Sequence, residues 1–210
     1  MFTQHARLAT SRAWWYSVLL MLVPLVASAQ LQELKLSADD ATGEDHYGRT
    51  LAMSGDRLAI GAMTTNDGNG AVYIYDRSGD DWLLDEKIDG LGRPNFGRSI
   101  GIDGDYLVVA LCKMTNGGIC QPSDSGLGIV YFYDREATGW VLRNEFNNDR
   151  DAFGTSAALS GDLAVIGADG DDDLATDAGA AYIYRRTGDS WTLEAKLTPS
   201  DGASGDNFGY

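Results

Sequence analysis

The densest run of metal-capable side chains is DGDDDLATD, which sets Asp169, Asp171, Asp173 and Asp177 at relative positions 1, 3, 5 and 9. Alternating carboxylates in a turn can converge on a hard cation that takes several oxygen ligands, so this spacing points to calcium. Position 6 of such a loop normally holds the glycine of a sharp turn, and here it is Leu174. The alternative is a solvated acidic loop. Cys112 and Cys120 lie eight apart in LCKMTNGGIC, across Asn116-Gly117-Gly118. In an exported protein two cysteines joined by a turn-rich segment form a local disulfide, with free thiols as the alternative. No histidine or third cysteine is at hand to complete a tetrahedral zinc set. The paired acids Asp80 and Asp81 precede Trp82 and read as turn formers rather than acid and base. Nothing resembles a nucleophile elbow, a phosphate loop or a redox pair. No catalytic residue is assigned, and the protein is expected not to be an enzyme.

These residues sit in an acidic, glycine-rich chain of 210 residues, with 16 Lys+Arg, 31 Asp+Glu, 26 Gly and a formal charge of −15. A surface this negative repels phosphate backbones and anionic lipid, which excludes nucleic acid as a partner and argues against membrane insertion of the mature chain. Hydrophobic residues make up 44%, enough to bury a core. Residues 1–13 carry Arg7 and Arg12 and lead into the apolar run Trp14–Ala29, which ends in Ala27-Ser28-Ala29. That is the pattern of a signal peptide over 1–29, cut before Gln30. The run is 16 residues and contains Pro24, short of the ~20 apolar residues a spanning helix needs. Localisation is therefore expected to be secreted, periplasmic or at the cell surface. The mature chain would carry 14 Lys+Arg against 31 Asp+Glu, a charge of −17.

What must position the candidate residues is a repeat. YGRTLAMSGDRLAIGA (47–62), FGRSIGIDGDYLVVAL (96–111) and FGTSAALSGDLAVIGA (153–168) align without a gap, and a further copy starts at Phe208-Gly209. Each complete copy is followed by a loop, then by GAVYIY (70–75), GIVYFY (128–133) or GAAYIY (179–184), and seven residues after the last tyrosine by Trp82, Trp140 or Trp191. The aromatic-Gly pairs recur after 49, 57 and 55 residues. The Ser/Asp-Gly-Asp triplets at 54, 103 and 160 read as tight hairpin turns between apolar runs. Alternation puts Tyr73 and Tyr75 on one face of a strand and Val72 and Ile74 on the other. The aromatic stripes recur in every copy, which favours packing between repeats over sugar stacking. His46, the single histidine after residue 29, precedes the aromatic-Gly pair where sister copies have Asn95, Ala152 and Asn207. A slot that tolerates alanine reads as a surface filler, not a general base.

Four short antiparallel strands per copy, without helical periodicity, predict an all-β chain of propeller blades, with a β-sandwich as runner-up. The blades are placed at about 47–89, 96–147 and 153–198, within 30–210, with a fourth starting at 208. The segment 31–48 aligns with 192–209, so 31–36 is expected to be the outermost strand of a preceding blade.

The recurring pairs Tyr47-Gly48 with Gly61-Ala62, and Phe153-Gly154 with Gly167-Ala168, resemble the FG-GAP repeat of integrin α-chain propellers and their bacterial relatives. The resemblance implies a β-propeller, extracellular, acting in adhesion or ligand recognition and often carrying calcium in blade loops. The chain departs from that pattern in having Met63 and Asp169 where a proline follows Gly-Ala, and Ala110-Leu111 in place of Gly-Ala. The expected function is a non-catalytic binding module for a protein or glycan, of which about three blades, a partial propeller, are present. Alternatives are an accessory or catalytic propeller region of a secreted hydrolase or lyase, and a purely structural stalk. Three blades with uncovered end faces are also expected to self-associate.

Overall fold

A computed structural model describes residues 34–40, 45–90, 92–112, 128–148 and 152–210. The segment 1–29 and Cys120 lie outside the described residues, and with them the signal-peptide and Cys112–Cys120 disulfide expectations. The chain divides into two compact units, Met1–Lys35 and Leu36–Tyr210, and every strand belongs to the second.

That unit holds three four-stranded antiparallel sheets whose strands follow one another in chain order. The first blade is β1 (Tyr47–Ser54), β2 (Arg57–Ala62), β3 (Ala71–Ser78) and β4 (Asp81–Asp89), with one helical turn, α1 (Thr65–Gly68), between β2 and β3. The second is β5 (Ser99–Asp103), β6 (Tyr106–Cys112), β7 (Gly128–Glu136) and β8 (Gly139–Asn148). The third is β9 (Phe153–Ser160), β10 (Leu163–Ala168), β11 (Ala180–Thr187) and β12 (Ser190–Leu197). The blades approach one another most closely where β5 meets β1 and where β9 meets β5 and β6, at the inner side of the sheets.

Each inner hairpin pairs the residues flanking a two-residue turn, such as Ser54 with Arg57, and puts a glycine first in that turn. Gly55, Gly104 and Gly161 there have φ of 58°, 55° and 56°, a left-handed backbone that favours glycine. The outer hairpins share a feature that spacing did not disclose. The register of β3 on β4 slips after Ile74, that of β7 on β8 after Phe132, and that of β11 on β12 after Ile183. The extra residue of each bulge is charged: Asp85, Arg143 and Glu194.

The alternation along the third strand of each blade divides as expected. Val72 and Ile74 pack with Phe96, Tyr131 and Tyr133 in the joint between the first two blades. Val130 and Phe132 pack with Phe153, Tyr184 and Trp191 in the second joint, where Phe132 stacks on the Trp191 ring at 4.5 Å. Each blade thus turns its tyrosines toward the blade before it and its aliphatic or Phe residues toward the blade after it.

The expected strand 31–36 differs. Leu34–Ala38 has no regular secondary structure, and 31–33 lie outside the described residues. A strand needs a ladder partner, and among the described residues no sheet precedes β1 to supply one. Leu36 and Ala38 instead pack beside Ile60, Tyr73 and Tyr75 of the first blade.

Candidate functional site

In each blade the second strand ends, the third begins and the fourth ends at one end of the sheet, while the tight turns lie at the other. At the links the chain repeats one four-residue turn. Its first residues, His46, Asn95, Ala152 and Asn207, all have a left-handed backbone, with φ of 51°, 67°, 53° and 51°. The turn closes by N–H donation from Arg49 to His46 O, Arg98 to Asn95 O, Thr155 to Ala152 O and Tyr210 to Asn207 O, at 3.1–3.2 Å. The slot thus imposes a left-handed backbone whatever its exposure: Asn95 and Ala152 are buried in it. His46 itself is exposed, with Nδ1 at 2.9 Å from the Thr64 hydroxyl.

The aromatic-Gly pair that follows is the joint. Its aromatic ring packs on the first tyrosine of its own blade's third strand, in the pairs Tyr47–Tyr73, Phe96–Tyr131 and Phe153–Tyr182, with centroids 5.2–5.5 Å apart. Its backbone runs against the blade before, where Gly70 bridges Phe96 and Gly179 bridges Phe208. A Cβ at Gly70, Gly128 or Gly179 would overlap the carbonyl of that aromatic residue, so the glycine of GAVYIY, GIVYFY and GAAYIY is required by a close approach. Where the second blade has Ala110 for glycine, its Cβ would sit only 3.3 Å from a Cβ on Gly154, and the joint still forms.

The four acids expected to gather round calcium do not converge. Asp171 is buried, and its carboxylate takes an ion pair from Lys196 and a hydrogen bond from the Tyr182 hydroxyl at 3.1 Å. Lys196 also reaches Asp173 at 2.6 Å. The Asp173 N–H turns back to Asp171 Oδ1, and the Asp177 N–H to Asp172 Oδ1. Asp169 is buried, and burial pushes its carboxyl above the usual range against the pull of its own backbone N–H and of Arg98. Among the described residues no three His, Cys, Asp or Glu side chains are grouped as metal ligands. An ammonium already stands where two of the acids meet, so this arrangement does not fit calcium.

That ammonium is the feature that spacing missed. Burial alone would lower Lys196, but Asp171, Asp173 and Tyr182 outweigh it and hold the lysine above its ordinary range. The first blade repeats the device: Lys87 pairs with Asp40 at 2.6 Å and Asp89 at 3.3 Å, and the Tyr73 hydroxyl donates to Asp40 at 2.7 Å. In the second blade the charges are exchanged, with Glu145 meeting Arg93 at 3.3 Å. The available signal was Lys87, Glu145 and Lys196, each five residues after the blade tryptophan.

Three four-stranded blades joined by close glycine–aromatic contacts define a β-propeller architecture, present here in part. The FG-GAP repeat family matches residues 31–75, 147–184 and 191–210, so the chain carries FG-GAP repeats over these segments. No curated protein matches it.

Proposed function

We propose that the chain is a non-catalytic, exported binding module whose protein or glycan ligand seats on the loop-bearing end of the blades. One contrast supports this reading. The joints repeat almost residue for residue, whereas the loops at that end differ in length and chemistry from blade to blade: Met63–Gly70, 113–127 and Asp169–Gly179. Rigid repeats presenting unlike loops suit recognition, since loops tolerate change that packed joints do not.

The test is a protein and glycan binding screen with the full chain, repeated after Asp172, Asp173 and Leu174, at the exposed tip of the third loop, are each changed to Ala. Binding that weakens while the melting temperature holds supports the reading. Binding that ignores the loops but fails when the opposite turns are altered would overturn it, as would turnover of a screened glycan. Export is tested by cell fractionation with N-terminal sequencing, the mature chain being expected to start at Gln30. The third blade leaves Val165 and Leu197 exposed on its outer face, which favours self-association. Sedimentation showing a stable monomer at micromolar concentration would refute that part.

A further inference from the structure

In a chain with 31 acidic residues, most arginines find a carboxylate. Arg57, Arg77, Arg93, Arg135, Arg143, Arg185 and Arg186 each reach one within 4.0 Å. Arg49 and Arg98 reach none among the described residues, and they hold the same repeat slot, directly after the aromatic-Gly pair. Their turns close identically, and the Thr50 hydroxyl donates to Gly97 O at 2.6 Å, clamping the start of β1 to the residue before Arg98. That bond brings the chain neighbours of Arg49 and Arg98 together. Burial and then Arg49 depress Arg98 below its ordinary range, while Tyr210 and Asp169 oppose them.

Two buried polar atoms are left without partners at this place. Arg98 Nε is closed off from solvent and meets no acceptor. Asp169, only 2% exposed, has an Oδ1 with no donor. Like charges side by side and an unsatisfied buried donor are both unfavourable, and a bound anion relieves both at once.

We infer that Arg49 and Arg98 form an anion subsite on the inner wall at the loop-bearing end, and that it takes a monoanionic carboxylate. A carboxylate presents two oxygens to the planar guanidinium fork. The neighbouring Asp169 and the strongly acidic chain disfavour a dianion such as phosphate. This inference rests on the binding reading above and adds the chemistry of part of the ligand.

The experiment follows the side-chain Nε–H resonances of the arginines by NMR in the full chain. Sodium glucuronate, the N-acetylaspartate amide and inorganic phosphate are titrated separately at constant ionic strength. Glucuronate and the aspartate amide carry the carboxylate on a sugar and on an amino acid, so their order shows which source the wall prefers. The expected result is a saturable shift of the Arg98 signal with a Kd on the order of millimolar, weakened at least tenfold in Arg98→Gln and in Arg49→Gln. Arg98→Lys is expected not to restore it, because an ammonium lacks the fork. Arg49 is exposed, so Arg49→Gln leaves the fold intact and keeps the test valid should Arg98→Gln fold poorly. No saturable shift with either carboxylate, equal affinity in Arg49→Gln, or tighter binding of phosphate would each overturn the inference. If the carboxylates fail while loop-dependent partner binding persists, this inference falls and the binding reading stands.

Discussion

Ala59, Val108 and Val165 occupy one repeat position on the second strand of their blades, and each faces where the next blade would be. The first two are completely buried and the third is 40% exposed. On the opposite faces Trp140 and Trp191 are buried beneath the preceding blade, while Trp82, with no sheet before it among the described residues, is half-buried. Polar contacts follow the same division. The Trp140 backbone N–H donates to the Glu86 carboxylate at 2.9 Å and the Trp191 backbone N–H to the Asn144 amide oxygen at 2.8 Å, each acceptor lying four residues after the preceding blade's tryptophan. The corresponding residue of the third blade is Ala195, which has no acceptor to offer. Arg57 reaches Gly104 O and Asp105 and lies 5.4 Å over the Trp140 ring, whereas its counterpart in the third blade is Leu163. Nearly identical strands thus differ in what they contribute, and the difference is set by the neighbour. The energy of this fold resides in its joints.

The sharpest way to break that comparison uses the aromatic slot. Phe153 is buried in the second joint, whereas Phe208 is 40% exposed. Phe153→Ala is expected to cost about 4 kcal/mol in denaturant unfolding, and Phe208→Ala about 1 kcal/mol. Equal costs would mean that burial in the joint is not what stabilises the slot. A smaller pair sharpens the same point: Val108→Ala should cost about 2 kcal/mol and Val165→Ala less than about 0.5 kcal/mol.

Lys196 carries the comparison into the loops. Lys196→Met removes the cation facing buried Asp171 and is expected to destabilise by about 2 kcal/mol at neutral pH. Because Asp171, Asp173 and Tyr182 raise the lysine above its unfolded value, its contribution is complete below the ordinary lysine range. The gap between wild type and variant should stay flat from neutral pH upward and narrow only as pH rises through that raised range. The same variant tests the acidic loop. Millimolar calcium is expected to leave the wild-type melting temperature unchanged and to raise that of Lys196→Met, whose Asp171 and Asp173 are freed. A wild-type increase abolished by Asp171→Ala would restore calcium to the native loop. The smallest effect is at the links: Ala152 is held at φ 53°, so Ala152→Gly should stabilise by about 0.5 kcal/mol in the same unfolding assay.

The repeat was legible because its parts are local. A two-residue turn with glycine first, tyrosines alternating with aliphatics, and a tryptophan at constant spacing each act within a few residues. The loop 169–177 was legible as acidic but not as arranged. The residue that organises it, Lys196, is remote in sequence and comes beside it only through the pairing of β11 with β12, which sets Tyr182 opposite Lys196. The bulges at Asp85, Arg143 and Glu194 were hidden because a register slip leaves no mark in spacing when the next strand is still of ordinary length. The left-handed slot was hidden because His, Asn and Ala all fill it.

The sequence by itself determined the blade: strand lengths, inner turns, which face is aromatic, and the glycines at the joints. These follow from φ preferences and a two-residue side-chain period, which act along the chain. Only the tertiary structure decided which of the repeated faces is covered, which acids meet a lysine instead of one another, and that neither Arg49 nor Arg98 forms an ion pair among the described residues. Those outcomes depend on distances between residues some twenty to fifty positions apart, and a repeated strand carries no record of which copy has a neighbour.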